Sequence, residues 1–440
     1  MDILAILGFA MILTFMALIM AKKMLPVTAL VLIPLVFALV ATYCLGYGDP
    51  WQISKWMING VRKIAPTFMM LLFAIMYFGI MIDVGLFDPL VVRILKIVKG
   101  DPVKILVATV ITTGVVALDG DGSTTFMIIT TAFLPLYLRI GISPVTLAVF
   151  ALMTNNVLNI IPWGGPTARV MAALQLDASD VFNPLIPGMI GAFIFLVVLA
   201  YFVGLKERKR LGVMEMDEEH LKEVANKITE ENKELKRPKL FAVNLVMTVL
   251  MLVALLSDKF PLGVIFAVGT SLALTINFKT VKEQAARLAG HADEALNVVM
   301  IIIGAGCFMG ILSGSKMDLA ITNALVAMIP ESLGPHMALI TAILSAPGTF
   351  FLSNDAFYYG IVPILAKTAA VYGVPANEIA RASLIGQPIH FLSPLVGSTW
   401  LLVGITNISL GDLQKYSFPV AVGMMVIYIL IAGALGVITL

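Results

Sequence analysis

Hydrophobic positions along this chain come in long unbroken runs, not in stripes. Runs at residues 3–20, 26–45, 64–84, 103–138, 145–170 and 184–205 are followed, after a polar gap, by runs at 241–256, 262–276, 295–312, 338–370, 380–404 and 417–435. About 20 apolar residues are enough to cross a bilayer as a helix, so the pattern predicts a polytopic all-α membrane protein. The runs at 103–138, 145–170, 338–370 and 380–404 are interrupted by glycine, proline and polar residues. Composition excludes a soluble reading, because 60% of residues are hydrophobic and 13% charged, where soluble domains hold about half and a quarter. The first run lacks a basic lead and an A-x-A exit, and is expected to be a retained helix, not a signal peptide. Cys44 and Cys307 both fall in apolar runs, which argues against a disulfide or a thiolate metal site.

The polar gap, 206–239, concentrates 10 basic and 9 acidic residues. Leu221, Val224, Ile228 and Leu235 trace a thin helical seam through it, which reads as a solvated helical linker or a docking helix. The pattern on its two sides is the same pattern twice, at an offset of about 230 residues. Phe78-Gly79-Ile80 answers Met309-Gly310-Ile311, and Gly122-Ser123-Thr124-Thr125 answers Leu352-Ser353-Asn354-Asp355. Gly141-Ile142-Ser143-Pro144 answers Tyr372-Gly373-Val374-Pro375. Asn159-Ile160-Ile161-Pro162, with Gly165 and Thr167, answers Phe391-Leu392-Ser393-Pro394, with Gly397 and Thr399. Four matches in one order make a repeat, so 1–205 and 240–440 are expected to be two copies joined by 206–239.

Charge sets the orientation. Lys206, Arg208, Lys209 and Arg210 crowd a helix end, which places the linker in the cytoplasm. With the interrupted runs at 103–138 and 338–370 folded as re-entrant hairpins, 21 of the 29 Lys and Arg face the cytoplasm. Each half then crosses about five times, an odd number, so the two repeats are inverted. Each carries one hairpin and one broken helix, an arrangement that builds a midplane site for alternating access. Amphipathic stretches at 86–98 and 317–329 precede the hairpins, as horizontal arms or as plain interfacial linkers.

The stretch 117–125, Ala-Leu-Asp-Gly-Asp-Gly-Ser-Thr-Thr, puts Asp119 and Asp121 inside an apolar region. An acid at membrane depth costs roughly 2.5–3.5 kcal/mol, which an ordinary loop would not need to meet. Ser123, Thr124 and Thr125 are expected to stand at a helix start, where hydroxyls satisfy free N–H groups and the dipole favours an anion. The second tip is Ser353-Asn354-Asp355, with Asp355 either an N-cap or a third site acid. Beyond the hairpins lie the breaks. Asn155, Asn156 and Asn159 lead into Ile161-Pro162-Trp163-Gly164-Gly165-Pro166, followed by Thr167 and Arg169. Gln387, Pro388 and His390 lead into Ser393-Pro394 and Gly397-Ser398-Thr399. Proline removes a backbone donor, and unpaired backbone survives in a bilayer only against protein or a water-filled cavity. Arg169 is a candidate counter-charge for a carboxylate, unless it snorkels outward. His390 suits proton coupling or a structural hydrogen bond. No P-loop, nucleotide fingerprint or hydrolase motif occurs, and neither ATP hydrolysis nor a nucleic-acid partner is expected.

The runs Ala117-Leu118-Asp119-Gly120-Asp121-Gly122-Ser123-Thr124-Thr125, Asn159-Ile160-Ile161-Pro162-Trp163-Gly164-Gly165-Pro166-Thr167-Ala168-Arg169 and Leu352-Ser353-Asn354-Asp355-Ala356 resemble the citrate–metal–proton symporter (CitMHS) family of the ion transporter superfamily. The resemblance covers essentially the whole chain. It implies a homodimer in the bacterial cytoplasmic (inner) membrane, with a scaffold domain and an elevator-like transport domain. It also implies import of citrate complexed with a divalent metal of the Mg or Ca class, coupled to protons, with no permanently bound cofactor. Better-known superfamily members use Ser-Asn-Thr at both tips for sodium and substrate carboxylate. Ser123, Thr124, Ser353 and Asn354 match in kind, whereas Asp119, Asp121 and Asp355 depart towards protons or direct metal contact. The expected substrate-binding set is Ser123, Thr124, Thr125, Asn156, Asn159, Gly164, Gly165, Thr167, Arg169, Ser353, Asn354, His390, Ser393, Gly397, Ser398 and Thr399. A sodium/proton antiporter or a metal-free carboxylate permease of the same architecture is the alternative.

The orientation is tested by accessibility. Cysteines introduced at Lys22 and in the linker are expected to label only from the cytoplasm, and those at Asp49 and Lys316 only from outside. Labelling of Lys22 and Asp49 from one side overturns the inverted arrangement.

Overall fold

The apolar runs become helices because a chain in lipid must pair its own backbone groups, and a helix does so within one segment. The computed structural model describes residues 2–98, 100–213, 233–257 and 259–440, and no strand occurs among them. Eight of its helices are long and apolar enough to cross a membrane, nine if one bent pair counts as a single span. Large apolar side chains such as Ile194, Phe202, Val246, Leu250, Val268 and Leu430 are exposed on their outer faces. A chain that is apolar both inside and outside is built for lipid.

The first half contains α1 (Ile3–Met20), α2 (Pro26–Leu39), α3 (Ile53–Asp83) and α4 (Asp88–Val98). It continues through α5 (Pro102–Val116), α6 (Gly122–Ile140), α7 (Pro144–Leu158), α8 (Gly165–Leu174) and α9 (Ile186–Leu211). The second half contains α10 (Phe241–Leu256), α11 (Leu262–Asn277), α12 (Val281–Gly290), α13 (Ala292–Gly314) and α14 (Met317–Val326). There follow α15 (Met337–Phe351), α16 (Val362–Val371), α17 (Ala376–Leu384), α18 (Gln387–His390), α19 (Gly397–Thr406) and α20 (Leu410–Ala434). Between α15 and α16 the chain winds as a π-helix, Ala356–Ile361.

Local chemistry sets the ends. Asp101 before Pro102 and Ser143 before Pro144 each accept the backbone N–H two residues on, and the proline occupies the first turn, where no donor is missed. The arms are shorter than the amphipathic stretches implied, and the segment of α14 and the helical run Glu331–Phe351 bend by 116°. One span begins earlier than hydropathy indicated. Helix α3 starts at Ile53, not near residue 64, because Lys55, Arg62 and Lys63 sit on its exposed side while Ile53, Gly60 and Ile64 are buried. Leu221, Val224 and Ile228 of the expected linker seam lie outside the described residues. The linker's end is anchored: Lys236 pairs with Asp88 of α4 at 2.7 Å, and the Arg237 N–H donates to Val84 O.

Two packing groups result. In one, α3 packs on α13 and α11, α13 packs on α2, and α1 packs on α2 and α14. Polar pins hold it: Asn244 and Asn277 exchange amide hydrogen bonds of 2.8 and 2.9 Å, and Tyr77 meets Thr248 at 2.7 Å. In the other, α5, α6, α7 and α9 pack together with α15, α17, α19 and α20. Helix α8 touches both groups.

The α3–α13 crossing is backbone against backbone. A Cβ on Gly60 would fall 2.0 Å from Gly306 O, and one on Gly310 would fall 2.1 Å from Trp56 O. Small residues let helices approach this closely in a membrane. Gly310→Ala is therefore expected to destabilise by about 1–3 kcal/mol, read as a lowered unfolding temperature in detergent. Gly404→Ala, whose Cβ meets nothing within 4 Å, is expected to leave that temperature unchanged or slightly raised.

Candidate functional site

The first hairpin turns at a tip whose backbone is held by its own acids. Helix α5 ends in a short 3-10 turn, Ala117–Asp119, and Gly120 follows at φ 81, a left-handed conformation that glycine adopts without penalty. Asp121 Oδ2 accepts the Thr124 N–H at 2.6 Å and caps α6. The expected cap role of Ser123, Thr124 and Thr125 thus falls to Asp121, since a carboxylate one position before the helix reaches the free N–H groups better. Asp119 Oδ1 accepts the Asp121 N–H at 3.0 Å and the buried Thr125 hydroxyl at 3.4 Å. Its Oδ2 is buried with no hydrogen-bond partner among the described residues.

At the second tip Ser353 Oγ, not Asp355, accepts the first free N–H, that of Ala356 at 3.2 Å. Asp355 sits already inside the helical turn, which leaves its carboxylate available. Arg169 Nε of α8 donates to Asp355 Oδ1 at 2.6 Å, and Arg169 Nη1 donates to Gly165 O at 2.9 Å. Arg169 therefore does not snorkel; it ties the first break to the second tip.

The breaks close on themselves by one device used twice. Thr167 Oγ1 donates to Ile160 O at 2.7 Å, and Thr399 Oγ1 to Phe391 O at 2.8 Å. Each hydroxyl returns a hydrogen bond that the interruption removed. Gly164 is required in the first break, since a Cβ there would lie 2.0 Å from Asn159 O. Asn156 Nδ2 donates to Gln387 O at 2.7 Å, and Gln387 Nε2 donates to Asn354 Oδ1 at 3.2 Å and to the Tyr358 hydroxyl at 2.8 Å. A Cβ on Gly122 would lie within 3.2 Å of Ser398 and Asn155. The two tips and two breaks thus meet.

They do not all face one space. A cavity of about 200 Å³ is lined by Asp119, Asp121, Thr124, Trp163, Gly165 and Arg169 on one side. Residues of α3, including Phe78 and Gly79, and His291, Glu294 and Ile302 at and in α13 form the other. His390 is outside that lining: its Nδ1 meets Thr349 O at 2.7 Å, and a carbonyl only accepts, so Nδ1 carries the proton. Ser393 Oγ likewise donates to Phe350 O at 2.6 Å. Ser123, Thr125, Asn156, Asn159, Gly164, Thr167, Ser353, Asn354, Gly397, Ser398 and Thr399 are also outside the lining. Among the described residues no three His, Cys, Asp or Glu are grouped to hold a metal ion.

Sequence reasoning missed the opposite wall. Trp163 stacks on Phe78 at 5.7 Å and meets Phe266 edge-on at 5.1 Å, while its Nε1 donates to Leu118 O at 2.9 Å. The break's tryptophan therefore joins the first tip to α3 and α11. His291 and Asp83 pair at 2.9 Å, with Arg287 3.3 Å from the same carboxylate oxygen. The available signal was an acid, Glu294, opening an apolar span.

Apolar helices of this length and number, some of them broken, define a multi-pass membrane protein. The family described as citrate transporter (CitMHS) matches residues 6–386, and the chain belongs to it. It is 51% identical over 436 residues to a citrate transporter of Bacillus subtilis (strain 168), covering 99% of this chain and 100% of the relative. It is 47% identical over 438 residues to the Mg(2+)/citrate complex secondary transporter of the same organism, covering 99% of each. Among solved structures, MtrF of Neisseria gonorrhoeae matches with TM-score 0.62 and 15% identity, over 93% of this chain and 94% of that one. The YdaH transporter of Alcanivorax borkumensis matches with TM-score 0.51 and 11% identity, over 87% of each chain. These two likenesses bear on the fold alone.

Removing one partner of a shielded ion pair strands the other. Arg169→Gln is therefore expected to destabilise the protein by about 3–5 kcal/mol, seen as a lower unfolding temperature. Arg169→Met combined with Asp355→Leu is expected to recover most of that loss without recovering transport. Equal stability of wild type and Arg169→Gln would show that the pair carries no structural weight.

Proposed function

We propose that this chain is a secondary-active transporter that imports citrate complexed with a divalent metal, coupled to protons, by an elevator-type movement. The observation that carries the reading is the state of Arg169. It is the arginine in the cavity lining, and Asp355 and Gly165 O already occupy it. Bare citrate would bring three negative charges to a lining whose arginine is paired with Asp355 and, even when released, balances only part of that charge, where unpaired charge is costly. Chelation to a divalent cation leaves one net negative charge, which helix N-termini and hydroxyls can hold. The metal side of such a complex is complementary to the unpaired carboxylate oxygen of Asp119. The relative that carries an Mg(2+)/citrate complex supports the same cargo.

Proton coupling follows from the same pair. While Asp355 is ionised, it holds Arg169. A proton on Asp355 neutralises it, loosens the pair and frees the guanidinium to take a citrate carboxylate in bidentate fashion. Cargo and proton then favour each other's binding, as symport requires. Tyr359 and His390 lie close enough to this acid to feel its charge.

With the linker in the cytoplasm, the cavity wall formed by Gly79, Ile82 and His291 would face the cytoplasm, as in an inward-facing state. The group of hairpins and breaks would be the moving unit of two inverted repeats, and the group built on α3 and α13 its frame. Arms α4 and α14 connect the two, and the Trp163–Phe78–Phe266 contact is the seam that must slide. A homodimer would hold the frames still.

Proteoliposome uptake of labelled citrate tests the proposal. Uptake is expected to fall at least tenfold in EDTA, to return with added Mg2+, and to follow the concentration of complex, with labelled metal entering alongside. Asp355→Asn is expected to lose pH-driven accumulation while keeping exchange of cargo. Undiminished uptake in metal-free buffer would overturn the metal half, and wild-type accumulation by Asp355→Asn the proton half.

A further inference from the structure

The cavity wall contributed by α13 has a charge that the proposed function leaves unexplained. Three carboxylates line the space: Asp119 and Asp121 from the first tip, and Glu294 from the opposite wall. Arg169 and His291 also line it, and each is already engaged by an acid: Arg169 by Asp355 and His291 by Asp83. The lining is therefore acidic on balance. Asp119 is 8% exposed, and its Oδ2 is buried without a partner. No hydrogen bond or ion pair among the described residues holds Glu294.

A plain explanation exists for an acid at this place. Glu294 lies in the first turn of α13, where the helix dipole favours negative charge. Asp293, its neighbour in that turn, already supplies such a charge and does not line the cavity. Dipole compensation accounts for an acid in this turn; it does not account for the one that meets the cargo.

We infer that Glu294 is a specificity-determining residue that rejects metal-free citrate. This rests on the metal–citrate reading above. A protein discriminates by penalising the wrong ligand as well as by holding the right one. Glu294 is exposed but lines the same cavity as the first tip, and a carboxylate there repels a trianion even through a partly shielded medium. Against a complex whose metal faces the wall, the same carboxylate is neutral or attractive. Asp119 and Asp121 are tied into the fold of the tip, whereas Glu294 has no structural bond to lose. It is therefore the acid that can be changed without unfolding the site.

The test measures citrate uptake in proteoliposomes at saturating Mg2+ and in EDTA, for wild type, Glu294→Gln, Glu294→Asp and, as a neighbour control, Asp293→Asn. Glu294→Gln is expected to narrow the ratio of Mg-dependent to metal-free uptake by roughly tenfold, mainly through increased uptake in EDTA. Glu294→Asp and Asp293→Asn are expected to keep the wild-type ratio. Inhibition of complex uptake by metal-free citrate gives a second measure, and Glu294→Ser should make that citrate a stronger inhibitor even if Glu294→Gln cannot be purified. A wild type that requires Mg2+ beside a Glu294→Gln variant with an equal requirement, and no change in inhibition, overturns this role alone. A wild type indifferent to EDTA overturns the metal-complex reading, and this role with it.

Discussion

The pair between Arg169 and Asp355 is the interaction around which the site is arranged. It joins residues 186 positions apart, one just past the first break and one at the second tip. Neither charge is tolerable alone at membrane depth, so each requires the other, and the two interrupted segments are held together by that requirement. With Arg169 held, the cavity beside it is left to acids. The lining is therefore short of uncommitted positive charge.

Breaking helices inside a membrane exposes backbone that lipid cannot satisfy. The chain answers with side chains close in sequence: Thr167 and Thr399 for the breaks, Asp121 and Ser353 for the tips. Because these needs are met locally, Asp119 keeps an uncommitted oxygen. Of those four side chains, Asp121 also lines the cavity. His390, Ser393 and the two threonines hold backbone carbonyls by their hydrogen bonds and lie outside that lining.

The seam between the packing groups differs in kind. Aromatic faces meet there, Trp163 against Phe78 and Phe266, while the Trp163 N–H is turned back to Leu118 O of the first tip. Apolar contact is non-directional and survives sliding better than a hydrogen-bonded seam would. By contrast, the α3–α13 crossing admits no movement, since its glycines bring backbone within reach of backbone. A fixed crossing beside a smooth seam is what a frame and a moving unit need.

Much of this was determined by the sequence alone. Lipid allows few backbone solutions, so long apolar runs had to be helices, and prolines, glycines and acids inside them had to mark breaks and tips. The extent of α3 was harder to read, because its first turns carry Lys55, Arg62 and Lys63 and only packing shows which side is buried. The partner of Arg169 was not legible at all. A guanidinium has the same local sequence whether it pairs an anion from solution, a headgroup or Asp355, and the choice depends on which distant element lies within about 3 Å. Glu294 was legible only as an acid opening an apolar span and Phe78 only as part of the repeat. With His291 they came to line one cavity only when the tertiary structure set the first tip against their wall.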